Sequence, residues 1–149
     1  MDEFFLRLAI KEAKKSKDLD GYYVGAVIVK NGKIISKAYG EEKNNNGHAE
    51  ELAIQNCKEN LQGSTLYVTI EPCDLRPSGK KSCCDLIINS GIKKVIFGVL
   101  DPAVKVPCSG VEKLKKANIE LLHLQKLEQE CKKITPNLFS KVAPSNNRT

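Results

Sequence analysis

Three short segments carry the side chains that most restrict how this chain can fold: His48-Ala49-Glu50, Glu71-Pro72-Cys73 and Cys83-Cys84. They offer an imidazole with a carboxylate two residues on, then thiols from two later segments. An imidazole nitrogen and two thiolates form a zinc donor set, and zinc held by one His and two Cys keeps a fourth position open for water. A fold that uses the residues in this way must bring three separate segments to one point.

The chemistry assigns each group a task. Neutral His48 and the thiolates of Cys73 and Cys83 would balance the charge of Zn²⁺, and the metal would draw the pKa of water toward neutrality. Glu50 sits in the same first helical turn as His48. It could reach that water without being a ligand and carry its proton to a ring nitrogen and a leaving ammonia. The target of such chemistry is an amidine-like carbon bearing an exocyclic amine.

His-Ala-Glu by itself opens many ordinary helices. The chain has only two histidines, which weighs against coincidence, and Pro72-Cys73 after the apolar run Leu66 to Thr69 adds to the pattern. Nine residues separate Cys73 from Cys83, a loose gap beside a C-x-x-C pair. The competing arrangement is a closed structural site in which Cys84 supplies a fourth protein ligand. His123, at a strand-to-helix junction, reads as a packing residue.

The 149 residues suit one domain, residues 1–141, followed by an unpatterned tail at 142–149. No apolar run approaches the roughly 20 residues of a bilayer span. The acidic start, Met1-Asp2-Glu3-Phe4-Phe5, lacks the basic stretch of a signal peptide. A cytoplasmic protein with reduced thiols is therefore expected, not a disulfide framework, despite six cysteines. Cys57, on an expected helix, and Cys131 read as small buried hydrophobes. The net charge of +6 comes from scattered basic pairs such as Lys93-Lys94 and Lys115-Lys116, which read as solvated surface. Four Phe, four Tyr and no Trp leave little for stacking bases, so nucleic acid is the disfavoured partner.

Periodicity gives the order of elements. An amphipathic helix is expected over 3–16, then strands over 24–29 and 33–39 joined by the Asn31-Gly32 hairpin turn. A helix from His48 to Asn60 follows, then a strand over 65–69, a helix from Cys83 closed by Gly91, and a strand over 93–99. A helix over 111–117, a strand over 119–122 and a helix from Leu124 to Ile134 complete the chain. A hairpin followed by crossovers predicts a three-layer α/β fold: a five-stranded mixed sheet with helices on both faces. Both ligand segments fall where the chain enters a helix, whose N-terminus favours thiolate.

Leu66 to Cys73, Cys83 to Ile92 and Gly98-Val99-Leu100-Asp101-Pro102, with Val24 to Val29 and His48-Ala49-Glu50, resemble a known family. It is the deaminase domain of the bifunctional riboflavin-biosynthesis deaminase-reductases, among the cytidine and deoxycytidylate type zinc deaminases. The likeness covers residues 3–140. It implies the cytidine-deaminase-like fold, one zinc, His48, Cys73 and Cys83 as ligands, and Glu50 as catalytic proton shuttle. Counted from the Gly91-Ile92 pair, the family's second thiol ligand falls on Cys83 and not Cys84. The implied substrate is a small pyrimidine nucleotide, a diamino-ribosylamino-pyrimidinone 5′-phosphate. Deaminases of another small nucleotide or of nucleic acid are the alternatives. A homo-oligomer is expected, and a separate reductase if the pathway applies.

The substrate shell departs from the family. Gly21-Tyr22 replaces Asn-Pro, Asp74-Leu75 replaces Ser-His, and Lys81-Ser82 replaces Pro-Pro. The His usual before the His-Ala-Glu loop is replaced near Glu41-Glu42, and Cys108-Ser109-Gly110 stands at a Gly-x-Gly. Gly79-Lys80 still resembles a family Gly-Lys/Arg pair that could meet a phosphate. Asp101-Pro102 is what remains of an Asp-Pro-Asn-Pro motif, followed here by Ala103-Val104. Lys80 and Asp101 are the substrate-binding candidates.

Overall fold

The Asn31-Gly32 turn sets the first pairing. In the computed structural model, which describes residues 1–16, 23–40, 47–74, 81–102, 110–136 and 139, these two residues take φ of 52° and 77°. Two successive positive φ values are what a type I′ hairpin turn requires. Strand β1 (Gly25–Lys30) accordingly folds back on β2 (Lys33–Tyr39), with Lys30 opposite Lys33. The other edge of β1 pairs antiparallel with β3 (Thr65–Ile70). Parallel crossovers then add β4 (Lys94–Val99) and β5 (Glu120–His123). The result is the expected five-stranded mixed sheet, in the order β2-β1-β3-β4-β5.

Alternation along the strands builds a layer on each face. Val27, Val29, Tyr67 and Ile96 pack with Phe5, Leu6, Ala9 and Ile10 of α1 (Asp2–Ala13) and with Cys131 of α5 (Glu128–Lys133). Ala26, Ile28, Leu66, Val68 and Val95 pack on the opposite side. There they meet Ala49 and Ala53 of α2 (Ala49–Asn56), Ile87 of α3 (Cys83–Ser90) and Leu114 of α4 (Gly110–Lys116). β3 and β4 are covered on both sides, which is why they read as unbroken apolar runs. No helix among the described residues is long and apolar enough to cross a membrane.

The topology sends three chain exits to one end of the sheet. β2, β3 and β4 run in the same sense, and Ile70 pairs with Val99, so the loops after these strands leave together. His48 follows β2, Cys73 follows β3 and Asp101 follows β4. The carboxyl ends of strands are where open α/β sheets place their sites.

Three helices differ from expectation, the first because α1 ends at Ala13, with Lys14 at its C-cap, instead of running to residue 16. α2 stops at Asn56, and Cys57 is extended at its C-cap instead of helical. Downstream, the Asn60 side chain accepts the Gln62 N–H at 2.8 Å, a local turn that competes with further helix. The helix expected from Leu124 to Ile134 opens as a 3₁₀ turn, Gln125–Leu127, before α5. The Leu127 N–H reaches the Leu124 carbonyl at 3.1 Å, and this tighter winding buries the Leu127 side chain completely. The tail at 142–149 lies outside the described residues.

Candidate metal centre

Each donor is delivered by a loop-to-helix boundary. His48 is the N-cap of α2, with extended backbone at φ −73° and ψ 159°, so its ring projects from the helix start. Cys83 opens α3, behind Ser82, whose hydroxyl accepts the Asp85 N–H at 3.1 Å as a helix N-cap should. Gly91 closes that helix at φ 94°, the left-handed conformation expected of a C-cap glycine. Cys73 sits in the loop after β3. Its sulfur accepts the Cys83 N–H at 3.3 Å, and its carbonyl accepts the Cys84 N–H at 3.1 Å.

His48, Cys73 and Cys83 converge. Their ligand atoms lie within 4.8 Å of one another. His48 Nδ1 is 3.2 Å from Cys83 Sγ and 3.6 Å from Cys73 Sγ. A tetrahedral ion with bonds of roughly 2.0–2.1 Å to nitrogen and 2.3 Å to sulfur separates such atoms by about 3.6 Å, so the donor set and its spacing fit zinc. The hydrogen bond with Cys83, together with His48 and the Cys83 N–H, draws the Cys73 thiol down to about 5 against the effect of its burial. Thiolate is the form a metal takes.

Glu50 lies on the same cluster. Its side chain is buried, 3% exposed, in the first turn of α2 two residues from His48. Burial is the main reason its carboxyl is pushed up to about 7, with the Cys73 charge adding to it and His48 opposing. Cys84 faces away. Its sulfur contacts the carbonyls of Pro72 and Gly110, each at 3.6 Å, and burial, with the charges of Cys73 and Glu50, pushes its thiol upward. Gly110 is glycine for a steric reason, since a Cβ there would strike the Pro72 carbonyl and press on Cys84 Sγ.

Asp101 lies just past β4 and donates its N–H to Glu71 Oε1 at 3.1 Å. Lys80, Gly79, Gly21-Tyr22, Glu41-Glu42 and Cys108 lie outside the described residues. His123 belongs to the packing: its ring stacks on Phe97 with centroids 4.9 Å apart, and Nε2 is 3.0 Å from the Gly98 carbonyl. The residue that sequence reasoning passed over is Glu71. Its second oxygen accepts the Val111 N–H at 3.0 Å, so one buried carboxylate joins the Cys73 loop to the end of β4 and the start of α4. Its place beside Pro72-Cys73 was the only signal for it.

A three-layer α/β fold with a His, Cys, Cys donor group and a buried glutamate at the strand exits has the form of a zinc hydrolase. The chain belongs to the cytidine and deoxycytidylate deaminase family, whose zinc-binding region model matches residues 1–99. It is 43% identical over 136 residues to a diaminohydroxyphosphoribosylamino-pyrimidine deaminase of Schizosaccharomyces pombe, covering 87% of this chain and 33% of that protein. A protein of the same name from Buchnera aphidicola subsp. Schizaphis graminum is 38% identical over 95% of both chains. Among solved structures, a Thermotoga maritima diaminohydroxyphosphoribosylaminopyrimidine deaminase/5-amino-6-(5-phosphoribosylamino)uracil reductase superposes with a TM-score of 0.81. It is 38% identical, with 95% of this chain and 41% of that one covered. The chain thus spans about a third of the length of the S. pombe relative.

Proposed function

We propose that this chain is a zinc-dependent hydrolytic deaminase of a pyrimidine nucleotide, acting on diaminohydroxyphosphoribosylaminopyrimidine in riboflavin biosynthesis. The observation that carries the reading is the three-donor group of His48, Cys73 and Cys83 with the buried carboxyl of Glu50 in the first turn of the helix that His48 caps. His48, Cys73 and Cys83 would hold the ion. When bound there, zinc supplies the Lewis acidity that makes water a nucleophile near neutral pH. Glu50 would accept one proton of the attacking water and pass it to the ring nitrogen, then carry the second, from the newly added hydroxyl, to the departing amine. A C–O bond forms, the exocyclic C–N bond breaks, and ammonia leaves.

The substrate rests on the S. pombe and Buchnera relatives, the second matching end to end. The test is ammonia release by zinc-loaded protein from that nucleotide, from its dephosphorylated nucleoside and from dCMP. Release from the first, lost on stripping zinc, is expected. Release from dCMP alone would overturn the substrate, and release from none would overturn the reading as a deaminase of a small pyrimidine nucleotide.

A further inference from the structure

Asp74 stands one residue past Cys73, Asp85 stands two past Cys83, and a single ammonium joins them. Lys113 Nζ, from α4, lies 3.1 Å from Asp74 Oδ1 and 2.8 Å from Asp85 Oδ1. The bridge is half-sheltered, with Asp74 at 14% exposure and Lys113 at 34%. It spans the seam already stitched by the N–H groups of Cys83 and Cys84, which donate to the sulfur and to the carbonyl of Cys73.

We propose that Lys113 is a positioning residue of the metal centre, holding the Cys73 loop against the first turn of α3 so that the two sulfurs stay in register around the ion. The proposal rests on the assignment of His48, Cys73 and Cys83 as ligands. Without the ammonium, the carboxylates of Asp74 and Asp85 face each other across the seam, and their repulsion drives the loop from the helix. Ion pairs this exposed add little to global stability. The effect belongs to how firmly the ion is held. Groups outside the ligand shell commonly change metal affinity by about 10–100-fold. Lys113 acts through backbone and not on sulfur directly, which places it at the lower end. Charge alone predicts the opposite sign, because removing a cation beside Zn²⁺ would slow the ion's departure.

The measurement is zinc release from the zinc-loaded chain into excess chromogenic chelator. Lys113→Met should release zinc about tenfold faster. Lys113→Arg keeps the charge in a fork suited to carboxylates and should stay within about threefold of the parent. Asp74→Asn should also speed release, and the double variant Lys113→Met/Asp74→Asn should be no faster than Lys113→Met, because both remove one link. Release from Lys113→Met at or below the parent rate overturns the proposal, as does additivity in the double variant or failure of arginine to rescue. A large drop in the thermal midpoint of the zinc-free chain with release unchanged marks a merely structural lysine, and also overturns it. Asp74→Asn carries the same expected sign should Lys113→Met not fold. Cys83→Ala retaining zinc would remove the ligand assignment and the clamp with it, whereas an inert Lys113→Met removes only the clamp.

Discussion

Cys83 and Cys84 are adjacent in sequence and face different ways: Cys83 Sγ lies 3.2 Å from His48 Nδ1, while Cys84 Sγ rests against the carbonyls of Pro72 and Gly110. A helix start explains the split, since successive residues project about 100° apart. Purified protein should hold about one zinc per chain. Cys83→Ala should lose it and Cys84→Ala should keep it, read by metal analysis after gel filtration. The reverse pattern would mean that the wrong neighbour has been assigned.

Glu50→Gln separates proton transfer from metal binding. The amide is nearly the same size and fits the buried site, so fold and zinc content should be unchanged. It cannot carry a proton, and turnover should fall by roughly 10²–10⁴-fold, the usual share of general acid–base catalysis. Steady-state ammonia release checks it, and near-parental turnover would sink the role assigned to Glu50.

The elements that could be read in advance are those whose cause is local. Asn31-Gly32 marks its own turn, Gly91 marks the end of α3, and apolar runs mark β1, β3 and β4. The convergence of His48, Cys73 and Cys83 follows from a motif and from strands that exit at one end. What could not be read depends on partners distant in the chain. Nothing near Glu71 says that its oxygens meet Asp101 and Val111, and nothing near Lys113 says that it meets Asp74 and Asp85. The early end of α2 was hidden for a related reason: helical propensity continues past Asn56, and a side-chain turn at Asn60 competes with it.

Lys80, the candidate partner of a substrate phosphate by resemblance, can be tested directly. It lies three residues before Cys83, so extended backbone places its Cα at most about 11 Å from that of Cys83. A lysine so tethered would be a candidate to meet the ribose phosphate of a substrate held at the metal centre. Lys80→Ala should raise KM for the phosphorylated substrate far more than for the nucleoside, with kcat little changed. Equal effects on the two substrates, or none, would leave the phosphate without this partner.

Glu71 is the buried brace of the site, and its loss should appear as stability. The side chain is 2% exposed, and its two oxygens accept from two backbone donors, Asp101 N–H at 3.1 Å and Val111 N–H at 3.0 Å. Glu71→Gln keeps the shape but turns one acceptor into a donor. One of the two N–H groups then faces an N–H₂ with no acceptor, and an orphaned buried donor costs about 1–3 kcal/mol. The charge that strengthened the remaining bond is lost as well. Urea unfolding of the zinc-loaded chain should show a lower midpoint with the slope unchanged, because the surface exposed on unfolding is the same. Glu71→Ala should cost more, since both of these hydrogen bonds are lost and the volume of a buried side chain is left unfilled. Parental stability in Glu71→Gln would show that the carboxylate is not what holds the Cys73 loop to the ends of β4 and α4.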